Sequence, residues 1–212
     1  MRFTALTAVL APPLCWGCGT PARPGEPLCA RCRAGLRWQR PRTVRAGGLE
    51  AFAPVAYDGA ARELVRALKY RGARALADTM AAQIAANAPA ELLAGAPALV
   101  PVPLHPARAR RRGFNQAALI AAAVGARTGL NVDDCLERRG RGTAQVGRGR
   151  AARLAGAGGD VRVRVGARAP PRALVVDDVV TTGATIAACA AALRAAGCRE
   201  VAALSYARTL AR

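Results

Sequence analysis

Residues Ala173–Ile186 read A-L-V-V-D-D-V-V-T-T-G-A-T-I. Leu174, Val175 and Val176 form a short apolar run of the kind used by a buried parallel strand. Asp177 and Asp178 follow where that strand is expected to end, and Thr181-Thr182-Gly183-Ala184-Thr185 leads into an Ala-rich helical segment. In open α/β sheets ligands sit beyond the carboxyl ends of strands, and a helix N-terminus offers unpaired N–H groups to an anion. Threonine hydroxyls and a glycine at such a turn suit a phosphate monoester, because they supply donors and a backbone with no Cβ in the way. Carboxylates repel phosphate. They are suited instead to accept hydrogen bonds from a sugar diol, or to hold a divalent cation. Phosphate at one end and a diol at the other describe a ribose 5-phosphate.

Working outward, 212 residues leave room for one α/β domain and a small appendage. Hydrophobic content of 52% is ample for a core, although much of it is alanine, which buries little area per residue. The 32 basic residues against 13 acidic ones give a formal charge of +19, a strong field for polyanions. Lys69 is the single lysine, so part of the arginine excess reflects compositional bias; the shortage of acids does not. Nucleic acid is therefore an expected class of partner, but aromatic content of 4% excludes a visible stacking platform for single strands.

The N-terminal region carries a second pattern. Cys15-Trp-Gly-Cys18 and Cys29-Ala-Arg-Cys32 are two CxxC pairs separated by a Pro/Gly-rich decapeptide. Each turn lets two thiolates reach one tetrahedral Zn²⁺, and Gly17 and Gly19 permit the tight backbone this needs. Two pairs complete four ligands, a closed structural site with no open catalytic position. Two disulfides or a redox CxxC are the alternatives, but neither accounts well for the duplicated spacing. Metal would supply most of the folding energy of so small a knuckle, and reduced thiols point to the cytoplasm. Residues 1–14 contain one Arg and a short apolar run broken by Pro12 and Pro13, and read as a lead-in helix rather than a signal peptide. No run approaches the roughly 20 apolar residues of a membrane span.

Between these ends, Arg33 to Arg45 reads as an Arg-rich linker, and Glu50–Tyr57 as a strand closed by Asp58-Gly59. Arg62–Tyr70 is expected to be a helix with Leu64, Val65 and Leu68 on one face. Lys69 and Arg71 at its end complement the helix dipole, which makes Lys69 either a plain surface charge or a functional one. Ala75–Ala88 reads as a second helix, ended by Pro89. Leu99–Leu104 is apolar, but Pro101 and Pro103 make it a strand that ends in a stiff loop. His105 is expected to be a loop residue without a catalytic duty. Arg108, Arg110, Arg111 and Arg112 precede Gly113, Phe114 and Asn115, the last an N-cap for a helix Gln116–Thr128 that Gly129 ends. Arg108–Asn115 reads as a loop, and arginines and exposed amides ahead of a helix make a second anion site. Cys135, Cys189 and Cys198 are spaced for neither metal nor nucleophile and read as apolar filler. Val201–Tyr206 is expected to be the last strand of the sheet.

The stretch Ala173–Ile186 resembles the 5-phosphoribosyl-1-pyrophosphate (PRPP) motif of type I phosphoribosyltransferases. The whole order (paired CxxC, L-V-R-A-L-K-Y-R-G, V-P-V-P-L…R-R-G-F-N-Q, V-V-D-D-V-V-T-T-G-A-T) is similar to the ComF family. Its members are phosphoribosyltransferase-like proteins with a zinc-ribbon appendage, some of them associated with DNA uptake in bacterial competence. The resemblance implies a parallel α/β sheet flanked by helices over residues 46–212, behind a zinc knuckle and linker over residues 1–45. It implies Asp177 and Asp178 on the ribose hydroxyls, and Thr181, Thr182, Gly183, Ala184 and Thr185 around the 5-phosphate. Arg108, Arg112, Gly113 and Asn115 would hold pyrophosphate, Mg²⁺ would accompany PRPP, and Cys15, Cys18, Cys29 and Cys32 would hold zinc. Transfer of the ribosyl phosphate to a nitrogen acceptor is the implied activity. PRPP sensing without turnover, with single-stranded DNA or DNA-processing proteins as partners, is the alternative. Leu136–Val165, with Arg138, Arg139, Thr143, Gln145, Arg150 and Arg153, resembles the family's R…T…Q…R stretch and reads as a mobile loop. Gly156 and Asp160 stand where the family carries Asn and an aromatic residue.

Overall fold

A computed structural model describes residues 13–138 and 161–210. Residues 1–12 of the expected lead-in helix and the central part of the expected loop, residues 139–160, lie outside them, while Pro13 and Leu14 are not helical and Leu14 bridges to Pro21.

The apolar run at 174–176 forms the middle of a strand, β7 (Arg172–Val180), that continues through both acids rather than ending before them. β8 (Glu200–Arg208) lies beside it in parallel for its whole length, with Val175 opposite Ala203 and Asp177 opposite Ser205. The other neighbour of β7 is β4 (Ala98–Pro101), also parallel, with Pro101 opposite Val176. β4 closes the β-ladder on its side, where a proline without an N–H costs little. On the far side of β8 come β2 (Leu49–Phe52) and β3 (Val55–Ala56), both parallel to it. The single strand expected over Glu50–Tyr57 is thus two short ones, parted at Ala53-Pro54, and the carbonyl of Pro54 accepts instead from Gln39 N–H. β1 (Val44–Ala46) pairs antiparallel with β2 and completes the order β1-β2-β8-β7-β4. The last part of the expected linker is therefore a strand of the sheet. β5 (Leu136–Arg138) and β6 (Val161–Val163) pair antiparallel as a separate two-stranded sheet, so both described ends of the expected loop are strands.

Period-two alternation sends Leu174, Val176, Leu204 and Tyr206 to one face and Ala173, Val175 and Ala203 to the other. The first face is covered by α2 (Gly59–Tyr70), α3 (Leu76–Asn87) and α6 (Gln116–Thr128), through Leu64, Leu68, Met80, Ile84, Ile120 and Val124. The second is covered by α7 (Ala184–Ala195), through Ile186, Cys189, Ala190 and Leu193. Helices on both faces of a mostly parallel sheet are what buries near-continuous apolar strands. Cys135, Cys189 and Cys198 are buried in this second core. Two further helices are short: α1 (Ala30–Ala34) in the N-terminal segment and α4 (Ala90–Leu93) before β4.

The N-terminal segment is not a detached appendage. Cys15, Leu28 and Leu36 are buried in the same apolar cluster as Ala61, Leu64 and Val65 of α2. Among the described residues no helix is long and apolar enough to cross a membrane.

Candidate functional site

The carboxyl ends of β7 and β4 share one edge of the sheet. β7 turns there through Thr181–Gly183 into α7, and Gly183 serves as N-cap at φ 80°. No side chain caps this helix; Thr182 Oγ1 comes no closer to Ala184 N than 3.4 Å. The opening N–H groups have no acceptor inside the helix, so the turn presents them outward, where the dipole favours an anion. A pocket of about 120 Å³ forms at this turn, lined by Asp177 and by Thr181, Thr182, Gly183, Ala184 and Thr185.

A neighbouring hairpin sets the shape of the turn. Gly47 and Gly48 link β1 to β2 as a two-residue loop, both at positive φ (57° and 77°), the requirement of a type I′ turn. That hairpin abuts the turn between β7 and α7 with no space between the backbones. A Cβ on Gly183 would fall 2.3 Å from Gly47 N, and a Cβ on Gly47 would fall 2.4 Å from Gly183 O. Gly47 is thus a site-shaping residue that sequence reasoning missed. The signal was the Gly-Gly pair between two short β-prone runs, the usual mark of a tight hairpin.

The two acids do not act as a matched pair. Successive residues of a strand face opposite sides, and Asp177 lines the pocket on the α7 side. Its Oδ1 accepts from Asp178 N–H at 2.8 Å. Asp178 points to the opposite face, is only 2% exposed, and its Oδ2 lies 2.9 Å from Lys69 Nζ at the end of α2. Lys69 is therefore the counter-ion of a buried carboxylate, not a plain surface charge. Desolvation first, and then the Asp178 charge, push the Asp177 carboxyl up from the usual carboxylate range to about 8. The side chain remains partly exposed at the pocket, so water moderates the rise; its direction is up.

The arginine run departs from expectation in form. Pro106–Arg112 is a short helix, α5, with proline in its first turn and His105 as N-cap, Nδ1 accepting from Ala107 N–H at 3.2 Å. His105 thus has a capping role. Gly113 ends α5 at φ 75°, and Asn115 opens α6. Asn115 is a cap and a tie at once: Oδ1 accepts from Ala117 N–H and Nδ2 donates to the Val102 carbonyl, each at 3.0 Å. Val102 N–H in turn donates to the Val176 carbonyl at 2.9 Å, one residue before Asp177. The Arg112 guanidinium stacks 5.4 Å from the ring centroid of Tyr70, the residue after Lys69. The α5–α6 corner is therefore fastened to the same sheet edge as the acids. Arg108, Arg110 and Arg111 are exposed, with no ion pair among the described residues.

The second constellation is the cysteine set. The sulfurs of Cys15, Cys18, Cys29 and Cys32 all lie within 4.8 Å of one another, with Cys18 and Cys29 at 3.7 Å. Tetrahedral thiolates about 2.3 Å from a zinc ion stand about 3.8 Å apart, so the set could hold a metal such as zinc. Gly17 belongs to the site: a Cβ there would press to 3.0 Å from Cys32 Sγ. The Thr20 hydroxyl and backbone lower the Cys18 thiol to about 6, while burial raises Cys32. A shared cation is what would let all four carry charge together.

Removing Lys69 tests the buried pair. Lys69→Met is expected to destabilise the protein by about 3 kcal/mol, because Asp178 loses its partner inside the core. The double variant Lys69→Met/Asp178→Asn is expected to recover most of that loss in denaturant titrations. Additive losses would show that the two side chains do not interact.

No protein-family model matches this chain, and no curated protein matches it.

Proposed function

We propose that this chain binds PRPP with Mg²⁺ at the tip of β7 and transfers its ribosyl 5-phosphate to a nitrogen acceptor, as the resemblance to the ComF family implies. The observation that carries the reading is one pocket lined by Asp177 and all five residues Thr181–Thr185, at the carboxyl end of an inner parallel strand. The threonine turn and the α7 N-terminus would take the 5-phosphate, and Asp177 the ribose hydroxyls. Asp178 would act from behind, fixing Lys69 and the end of α2. Arg108, Arg112, Gly113 and Asn115 on the corner fastened to Val102 would face the pyrophosphate. Mg²⁺ would spread the negative charge of that leaving group. In the reaction the C1′–O bond to pyrophosphate breaks, the acceptor nitrogen forms the new bond to C1′, and its proton passes to solvent. Asp177 is given to the ribose hydroxyls in this reading, so positioning and electrostatics would supply the acceleration. Zinc in the four-cysteine set would be structural and would hold the N-terminal segment onto α2.

Pyrophosphate release from PRPP in the presence of candidate nitrogen acceptors tests the reading. Release that requires an acceptor and disappears in Asp177→Asn supports it. PRPP that binds without release under any acceptor supports a sensor instead. The sensor reading draws on the +19 charge and on Arg110 and Arg111, exposed and without an ion pair among the described residues. Under it, single-stranded DNA affinity would fall steeply with salt and drop in Arg110→Ala/Arg111→Ala, but not in Asp178→Asn.

The raised Asp177 carboxyl has a consequence that needs no ligand. The folded state holds this proton more tightly than the unfolded chain, so ionisation works against folding, and the loss grows as pH rises from about 4 towards 8. Asp177→Asn is therefore expected to match the wild type near pH 4. At pH 8 it should be the more stable protein, by on the order of 1 kcal/mol. A difference independent of pH would show that the carboxylate is fully solvated.

A further inference from the structure

A second cavity lies at the other end of the sheet, where β7 and β8 begin at Arg172 and Glu200. Its volume, about 640 Å³, falls within the range of small-molecule sites. Five arginines line it: Arg42, Arg45, Arg172, Arg194 and Arg199. They come from the segment before β1, from β1 itself, from β7, from the last turn of α7 and from the turn into β8, so the fold gathers them from five places.

Arg172 has a prepared seat. Its Nε donates to Glu200 Oε2 at 2.8 Å, and its guanidinium fills the space over Gly95, where a Cβ would fall 1.6 Å from Nη1. Gly95 has φ 71°, and the next residue, Ala96, is the one non-glycine at positive φ (49°) among the described residues. An alanine held there is strained, and the strained turn is the one that makes room for Arg172. The other four arginines are exposed and have no ion pair among the described residues. Like charges drawn around one concavity raise its potential and concentrate anions in it.

The remaining lining narrows the class of ligand. Glu50, Glu91 and the Arg172-paired Glu200 also line the cleft, carboxylates that can accept from hydroxyl groups and would repel a continuous polyanion. Among the described residues no aromatic side chain lines the cleft, so recognition would rest on phosphates and sugar hydroxyls, not on stacking. We propose that this cleft binds a compact oligophosphate metabolite, a sugar or nucleoside di- or triphosphate, separately from the pocket at the tip of β7.

Adenosine triphosphate is the probe, titrated calorimetrically into the full chain at physiological salt. Saturable binding is expected, weakened at least tenfold in Arg45→Gln/Arg199→Gln. It should change less than twofold in Arg31→Gln/Arg168→Gln, which removes the same charge from exposed positions outside the cleft. Thr181→Ala/Thr182→Ala, which trims the β7 pocket without pressing on the β1–β2 hairpin, should leave this binding intact. Equal weakening in the two arginine pairs would reduce the effect to general attraction by a basic surface, and no saturable binding would overturn the site outright. Loss in Thr181→Ala/Thr182→Ala would place the nucleotide at the other end of the sheet. Displacement of the nucleotide by a 20-nucleotide single strand, with steep salt dependence, would make the cleft a nucleic-acid surface instead.

Discussion

Gly183→Ala is expected to abolish PRPP binding while leaving the sheet folded. Two costs combine at this residue. An alanine at φ 80° is strained by about 1–2 kcal/mol. The larger effect is steric, because the new Cβ would stand 2.3 Å from Gly47 N and the hairpin or the turn must move. Either movement takes the α7 N–H groups away from the 5-phosphate. Losing two charge-assisted hydrogen bonds weakens binding by about 3–6 kcal/mol, which is more than a hundredfold. Gly48→Ala separates the two costs. Gly48 also has positive φ (77°), but nothing lies within 4 Å of the added Cβ. That variant should lose about 1–2 kcal/mol of stability and keep its affinity for PRPP. Equal affinities in Gly183→Ala and Gly48→Ala would mean that the turn does not hold the phosphate.

Disrupting the four-cysteine set should have the largest effect on stability. The protein is expected to carry one zinc per chain by elemental analysis, and Cys32→Ser to lose it. Without the metal little else orders this segment: it contributes one five-residue helix, an isolated Leu14–Pro21 bridge and few apolar side chains. Three of those side chains, Cys15, Leu28 and Leu36, also cover Ala61, Leu64 and Val65 of α2. Loss of the metal should therefore open the segment to trypsin at Arg31 and Arg33, and also weaken the larger core. A loss on the order of 3–5 kcal/mol would lower the melting midpoint by about 10 °C. A chain without stoichiometric metal, or a Cys32→Ser variant with an unchanged midpoint, would remove the structural role.

Residues with short-range signals were the ones readable from sequence. Asn115 and Gly129 bracket an apolar-periodic segment, and α6 runs from Gln116 to Thr128 as those caps require. The duplicated CxxC spacing likewise led to four sulfurs at one point, because two tight turns bring paired thiols together by local geometry. Other features depended on contacts distant in the chain. Two adjacent carboxylates look like the end of a strand, since a second buried charge is costly. Here β7 runs on through Asp178, because Lys69, more than 100 positions earlier, neutralises it from α2. The Arg-rich run looked like a loop for its charge. Pro106 in the first turn, the His105 cap and α-compatible arginines make it helical instead. The buttress between Gly47 and Gly183 also lay out of reach, since neither glycine's own neighbourhood announces the other.

The most direct test of the central claim is a calorimetric titration of PRPP with Mg²⁺ into the wild-type chain and into Gly183→Ala. A sugar-phosphate seat at the tip of β7 predicts saturable binding at one site per wild-type chain, with no measurable binding in the variant. No saturable heat in the wild type, or equal affinity in both proteins, would contradict it.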